Sequence, residues 1–153
     1  MVAYSFKSSF LAPIYEAEKR QTIRLPRKRH ARPGEALQFF TGPRMKPVRI
    51  GAAVCKSVCD VRLDFDKHEI ALDDAIVVSE PAELNAFAVR DGFRYGNGQA
   101  GIDGAWALMG RWWRLTHPGQ PVFVGVLIDW DGSFEPTPGF CPEPVYSRRD
   151  VFE

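Results

Sequence analysis

Residues 122–130, with the sequence VFVGVLIDW, form the most β-favouring segment of the chain and decide its predicted fold. Valine, isoleucine, phenylalanine and tryptophan favour strands because branched and aromatic side chains pack well on a pleated surface. Gly119 and Pro121 are turn signals that separate the segment from the residues before it. We therefore expect residues 122–130 to form a central strand of a β-rich domain.

Two helices are predicted before this strand. The first begins at Ser79-Glu80-Pro81, because serine can cap a helix and proline fits its first turn, and it ends at Gly92. The second runs from about Ile102 to Leu115, because apolar side chains recur there at helical spacing. Those side chains are Ile102, Trp106, Met109 and Trp113.

Earlier strands are predicted where β-favouring residues lie between turn signals, at residues 21–25, 35–41, 48–65 and 69–78. Residues 48–65 are long enough for two strands or one bent strand, and residues 6–15 are expected to be a short strand that runs into a turn or helix. Strands first, then two helices and a last strand predict the α+β class, as a small, partly closed β-barrel with two or three flanking helices. Residues 1–135 would form this domain, with residues 136–153 as a tail draped on it or extending from it.

The charge of the chain is balanced overall but unevenly distributed. The 153 residues suffice for one domain with its own core, and they include 20 lysines and arginines against 19 acidic residues. Between Lys19 and Arg49 there are ten lysines and arginines, opposed by Glu35 alone. This asymmetry predicts a basic face on a neutral body.

The cysteines and the apolar segments bear on the compartment. Three cysteines in no small-secreted-domain pattern, no signal-type N-terminus and no apolar run of about 18 residues predict a reduced, cytoplasmic protein that does not enter a membrane. Cys55 and Cys59, with His68 beyond them, do not have the usual zinc spacing, so buried structural cysteines are the favoured interpretation. We expect no metal and no cofactor.

Residues 18–34, EKRQTIRLPRKRHARPG, combine a polar cluster with a dense cationic loop. If residues 21–25 are a strand, its period of two places Thr22 and Arg24 on one face and Ile23 on the other. The long side chain of Lys19 can bring its ammonium to the same place. Such a cluster suits a negatively charged or carbonyl-bearing ligand, although an exposed edge strand with solvated polar residues has the same pattern.

Further motifs follow this cluster in order. The spacing Lys-x-x-Thr-x-Arg at residues 19–24 is followed by Gly34-Glu35-Ala36-Leu37 at the start of a strand and by Asp91-Gly92-Phe93 at the end of a helix. Together these motifs make the chain resemble the ASCH domain, a branch of the PUA-like β-barrel superfamily. The resemblance covers roughly residues 4–130.

The resemblance implies a cleft at the mouth of the barrel and an association with RNA or modified nucleosides. The first function it implies is binding of RNA or a nucleotide. The alternatives are hydrolysis of the amide of N4-acylated cytidine or a related nucleoside, and ribonuclease activity. In the amidohydrolase branch the catalytic roles would fall on Lys19, Thr22 and Asp91, with aspartate here in place of the branch's glutamate.

The ligand-binding candidates extend beyond these three residues. They are Arg24, Arg27, Lys28, Arg29, Arg32 and Tyr95. Arg24 could bind a phosphate or a developing oxyanion, or anchor the structure. The basic loop could bind phosphate or be a solvated loop. Trp106 and Trp113 are expected in the core, which leaves Trp112 and Tyr95 as candidates for stacking on a base. The oligomeric state is left open.

Overall fold

The computed structural model describes residues 1–94 and 104–140 of the chain. Its strands are β1 (Val2–Ser5), β2 (Gln21–Arg24), β3 (Ala36–Thr41), β4 (Val48–Val54), β5 (Ser57–Asp64), β6 (Glu69–Leu72), β7 (Ile76–Val78), β8 (Val122–Asp129) and β9 (Glu135–Pro136). Its helices are α1 (Leu11–Tyr15), α2 (Pro81–Arg90) and α3 (Ala105–Thr116), with a 3-10 turn at Ser8–Phe10 before α1. The predicted α+β class is confirmed. Tyr95, Ile102 and Cys141 lie outside the described residues.

The strands form two sheets. The first has the order β1-β3-β4-β9, with β1 parallel to β3, and the second has the order β2-β8-β5-β6-β7. Strand β8 lies between β2 and β5, which confirms that this segment is a central strand. Pairing between the described strands gives two sheets and no closed barrel. The barrel itself therefore stays a prediction.

The two faces of β8 contribute to two different hydrophobic cores. Phe123 and Leu127 pack with residues of α2 and α3, whereas Ile128 packs with residues of the first sheet. Because neighbouring residues of a strand point to opposite faces, a strand covered on both sides needs apolar residues at nearly every position. Each fully buried side chain of this size contributes about 1.5–3 kcal/mol. This double burial accounts for the apolar residues 126–128, whereas Val122 and Val124 are exposed on one face.

The register of β2 against β8 determines where the polar motif lies. Ile23 is opposite Leu127 and enters the core that contains α2 and α3, as predicted. Thr22 is opposite Ile128, on the face that turns toward the first sheet. The predicted alternation of residues 22–24 is therefore confirmed.

The C-terminal end of α2 meets the beginning of β2. Gly92 follows the helix with a φ of +101°, a left-handed conformation that favours glycine. The Arg20 N–H donates a hydrogen bond of 2.8 Å to the Arg90 carbonyl. This contact brings Asp91 next to Lys19. The helix begins as predicted at Pro81, but Glu80 precedes it as the cap residue and makes no side-chain capping bond.

Three segments differ from their sequence prediction or add to it. Residues 69–78 form the hairpin of β6 and β7, because Asp73 and Asp74 take positive φ values of 50° and 55° that turn the chain. Residues 8–15 are helical, so the strand expected to begin at Phe6 is wrong, and β1 precedes it instead. Strand β9 pairs with β4 at the predicted domain border, and the division at residue 135 stays a prediction.

No helix in the described part of the chain is long and apolar enough to cross a membrane.

Replacing Gly92 by alanine is expected to destabilise the protein more than the same change at Gly119. Both glycines have positive φ, so both variants incur the left-handed penalty of about 1–2 kcal/mol. A Cβ at Gly92 would also lie 2.8 Å from Lys19 Cδ and 2.9 Å from Phe10 Cδ1, whereas one at Gly119 meets nothing within 4 Å. We expect a total loss of about 3 kcal/mol for Gly92→Ala. Urea unfolding measures both variants, and equal losses would contradict the steric argument.

Candidate functional site

A cavity of about 450 Å³ opens beside β2. It is lined by residues of β2, by the segment after β1, by the end of α2 and by α3. Lys19, Thr22, Arg24 and Asp91 all line it, so the structure brings these four predicted residues to one place. The volume lies in the usual range of small-molecule sites, about 300–1,000 Å³.

Lys19 is held against the end of α2. Its Nζ donates a hydrogen bond of 2.5 Å to the Asp91 carbonyl and lies 3.8 Å from Asp91 Oδ1. The rings of Phe6 and Phe10 have their centroids 5.7 and 4.8 Å from the same nitrogen. Lys19 is 3% exposed and Asp91 is 5% exposed. The ammonium is therefore surrounded by one carbonyl, one carboxylate and aromatic faces in place of water.

Burial moves the pKa values of this pair toward each other. It lowers the pKa of Lys19 to about 8, an effect that Asp91 partly opposes and Arg24 adds to. It raises the pKa of Asp91 to about 6, an effect that Lys19 and Arg24 partly oppose. Both groups are thus close to the pH at which side chains exchange protons most effectively in catalysis. A perturbed pair inside a cavity is typical of a functional site.

Two buried polar atoms, one on Asp91 itself and one on a neighbouring residue, have no hydrogen-bond partner among the described residues. They are Asp91 Oδ1 and Gln21 Nε2. An unpaired buried polar group costs about 1–3 kcal/mol and is uncommon in folded proteins. Asp91 lines the cavity, and its Oδ1 is itself buried beside the Lys19 ammonium.

Arg24 connects β2 to β1 and to Thr22. Its Nη2 donates to the Ser5 carbonyl at 2.7 Å, and its Nε donates to Thr22 Oγ1 at 3.1 Å. The guanidinium also lies over the rings of Tyr4 and Phe6, 5.3 and 4.9 Å from their centroids. Burial lowers the pKa of Arg24 to about 10. Arg24 is therefore a structural anchor at the cavity, and the alternative that it binds a phosphate or an oxyanion stays a prediction.

The basic loop divides into residues at the cavity and residues outside it. Arg27 lines the cavity and stacks on Tyr4, with its Cζ 4.9 Å from the ring centroid. Arg29 forms an ion pair with Glu35 outside the cavity lining. Lys28 and Arg32 are exposed and do not line the cavity. The loop is thus not one uniform cationic surface.

His30 is a cavity residue to which the sequence interpretation gave no role. Its Nε2 is 2.8 Å from the Leu25 carbonyl and its Nδ1 is 2.9 Å from the Tyr4 hydroxyl. Because a carbonyl can only accept, Nε2 carries the hydrogen, and in the neutral ring Nδ1 accepts from Tyr4. His30 therefore fastens the basic loop to β1.

Other cavity residues come from distant parts of the chain. Lys7 lies over the ring of Trp112, 5.6 Å from its centroid, and His117 stacks against Trp113 with centroids 4.6 Å apart. Four residues from these segments line the cavity: Lys7, Trp112, Trp113 and His117. Trp106 does not line it. Trp106 and Trp113 are buried in the core, as predicted, and Trp112 is half-buried. No local motif marks Lys7 or His117, so sequence reasoning missed them.

Arg94 is a second residue that sequence reasoning missed, and its ion pairs stabilise the segments that carry Lys19 and Asp91. It is buried and forms ion pairs with Glu16 and Glu18, the second at 3.1 Å. These glutamates precede Lys19, and Arg94 follows Asp91. The ion pairs therefore join the two segments that carry the buried pair.

No group of three or more histidine, cysteine or acidic side chains could hold a metal in the part of the chain that the structure describes. Cys55 is buried and Cys59 is half-buried. Burial raises the pKa of both thiols, which is the behaviour of structural cysteines.

Removing both charges of the buried pair is expected to preserve or increase stability at neutral pH. With pKa values of about 8 for Lys19 and about 6 for Asp91, both groups are charged near pH 7, where burial disfavours each charge. The variant Lys19→Met/Asp91→Asn should unfold with a free energy equal to or above that of the wild type. Lys19→Met alone leaves a carboxylate without its cation and should lose about 3 kcal/mol.

The pH dependence has a definite sign. Because the pKa of Asp91 rises from 3.8 to about 6 on folding, its stabilising contribution is present below the lower value and is lost as pH rises through the upper one. Because the pKa of Lys19 falls from 10.5 to about 8, its contribution grows as pH rises between these values. The advantage of the double variant should therefore be largest between about pH 6 and 8. Urea unfolding across this range measures the difference in unfolding free energy between the double variant and the wild type. A difference that is smallest at pH 7 would contradict the prediction.

Comparisons with known proteins do not assign the chain to a family: no family model matches it, and neither a curated protein nor a solved structure matches it. The ASCH resemblance therefore rests on the motifs around Lys19, Gly34 and Asp91. The case for a function depends on those motifs and on the cavity.

Proposed function

We propose that the chain is an ASCH-like protein with a PUA-like fold that binds a nucleoside unit, in RNA or in a free nucleotide, inside the cavity beside β2. The observation that carries the proposal is the convergence of Lys19, Thr22, Arg24 and Asp91 on that cavity. Lys19 and Asp91 are 72 positions apart in the chain, so their contact is a product of the fold. In the proposed PUA-like arrangement, the two sheets that share a core would be the two sides of the barrel.

The cavity offers the groups that recognise a base. A carboxylate accepts well from the exocyclic amine of cytosine, and the Asp91 side chain lines the cavity. An aromatic ring at the wall supplies a stacking surface, which Trp112 provides. The size of the cavity fits one nucleoside unit better than a stretch of duplex.

Binding of RNA is expected to weaken with salt, and the exposed loop cations should account for part of this dependence. Each lost phosphate contact flattens the slope of log affinity against log salt by about 0.7 for a single strand. We expect Lys28→Gln to flatten it and Arg29→Gln to change it less, because Arg29 is already paired with Glu35. Fluorescence titration with a cytidine-rich oligoribonucleotide measures both slopes. An affinity that does not depend on salt would exclude phosphate contacts by this loop.

A second candidate function is hydrolysis of the amide of N4-acylated cytidine. It is favoured by the lowered pKa of Lys19 and by the hydrogen bond from Arg24 to Thr22 Oγ1. Neutral Lys19 would accept the Thr22 hydroxyl proton as Oγ1 bonds to the acyl carbon, and Arg24 would stabilise the negative charge that develops. The ammonium would return that proton to the departing N4 amine, and water would then cleave the acyl-threonine ester.

The assay for this function uses N4-acetylcytidine. If the mechanism holds, Thr22→Val and Lys19→Ala should lower kcat/KM by at least about a hundredfold, and Thr22→Ser should retain turnover because it keeps the hydroxyl. The rate of the wild type should rise with pH through about 8, as Lys19 loses its proton. Undiminished turnover by Thr22→Val would refute the role of the hydroxyl, and absence of turnover by the wild type would leave binding as the function.

A further inference from the structure

The charge of the cavity is much less balanced than that of the chain. The chain as a whole has a net charge of +1. The cavity lining includes one carboxylate, Asp91, and four cationic side chains: Lys7, Lys19, Arg24 and Arg27. The Asp91 carboxylate lies 3.8 Å from Lys19 Nζ, so the remaining cations give the cavity lining an excess of positive charge.

That excess is concentrated in the guanidinium groups of Arg24 and Arg27. Both lie over Tyr4, 5.3 and 4.9 Å from the ring centroid. Within residues 1–94 and 104–140, neither guanidinium has a carboxylate within ion-pair distance. Burial is the main cause of the lowered pKa of Arg24; Tyr4 and Asp91 oppose the shift, and the charge of Arg27 adds to it. Arg24 is half-buried and Arg27 is exposed, and an anion bound between the two guanidinium groups would reduce the repulsion of their like charges.

The platform beneath these two groups is rigid. Tyr4 is buried, its hydroxyl is 2.9 Å from His30 Nδ1, and the same oxygen accepts from the Ala31 N–H at 3.2 Å. Arg24 is further held by the Ser5 carbonyl, and Arg27 by a 2.9 Å bond from its Nε to the Arg29 carbonyl. The positions of the two guanidinium groups are therefore set before any ligand arrives, which lowers the entropy cost of binding.

The bonds that hold them leave donors free. Among the described residues, the terminal nitrogens of Arg27 and Nη1 of Arg24 have no protein acceptor. A guanidinium presents parallel N–H groups that match the oxygens of a phosphate. Both groups line the cavity that Lys19 and Asp91 also line. A phosphate bound to the two guanidinium groups could therefore belong to the same ligand as a nucleoside bound beside Lys19 and Asp91.

We propose that Arg24 and Arg27 form a phosphate subsite of this cavity, and that the ligand is a phosphorylated nucleoside unit in preference to a neutral nucleoside. This inference rests on the proposed function and specifies its ligand. The phosphate can belong to a mononucleotide or to an RNA residue, and the two sources are separated by experiment. Arg29 of the same loop contributes little to this subsite, because it is neutralised by Glu35.

Arg27 is the residue to test. Arg24 also joins β1 to β2, so its removal would disturb the fold, whereas the hydrogen bond from the Arg27 side chain to the Arg29 carbonyl stays within its own loop. The matched control is Arg44→Gln, which removes the same charge from an exposed residue outside the cavity lining. Isothermal titration with cytidine, cytidine monophosphate, a cytidine pentaribonucleotide and inorganic phosphate measures the wild type and both variants, whose folding is verified by thermal unfolding.

We expect cytidine monophosphate to bind the wild type at least about tenfold more tightly than cytidine, the effect of one charge-assisted hydrogen bond or more. Arg27→Gln should abolish this preference, while Arg44→Gln keeps it. A pentaribonucleotide that binds more tightly than the monophosphate, with the same dependence on Arg27, identifies RNA as the source of the phosphate.

The remaining outcomes separate this inference from the proposed function. Equal affinities for cytidine and its monophosphate overturn the phosphate subsite and leave the nucleoside proposal intact. Binding of inorganic phosphate that depends on Arg27, without binding of any cytidine compound, supports the subsite and overturns the nucleoside proposal. A loss of monophosphate affinity that is equal in Arg27→Gln and Arg44→Gln overturns the subsite, because it reports only the overall charge.

Discussion

The buried contact between Lys19 and Asp91 is the constraint on which the rest of the cavity depends. Beside it, the Lys19 N–H donates to the Pro13 carbonyl of α1, and the Arg20 N–H donates to Arg90 at the end of α2. The Arg20 carbonyl accepts from the Trp130 N–H just after β8. One short junction thus joins α1, β2, α2 and β8. The side chains of the site are held by backbone hydrogen bonds that belong to the fold itself.

A buried ion pair of this kind is not an efficient way to stabilise a domain. Removing two charges from water costs several kcal/mol per ion, and apolar residues of similar volume often replace such a pair without loss. Here the distance between Lys19 Nζ and Asp91 Oδ1 is 3.8 Å, and Oδ1 has no hydrogen-bond partner among the described residues. Local rules of stability are most often broken where a protein binds or reacts. The incomplete pairing of Asp91 is therefore consistent with the binding function proposed above.

The sequence predicted the parts of the fold that local patterns encode. The apolar run around Val126 identified a central strand, and alternation placed Ile23 in the core with Thr22 on the other face. Prediction was wrong where a short segment contains residues that favour different secondary structures. At residues 69–78 the period-2 pattern continued across Asp73 and Asp74, which turn the chain into a hairpin. At residues 6–15 a short strand was expected to run into a turn or helix; the helix is present, but the strand is not, because the segment is helical from residue 8 onward.

The sequence by itself determined the α+β class, the strand that carries Thr22 and Arg24, and the resemblance that joined them to Asp91, because each depends on local periodicity or on a motif. Only the tertiary structure decided which cations face the cavity. Arg27 reaches it and Arg29 turns to Glu35, although the two stand in the same loop. Lys7 and His117 enter from separate elements that no short pattern connects. The reason is physical: a side chain's pKa, partners and exposure are set by neighbours distant in sequence, and these meet only when the two sheets pack.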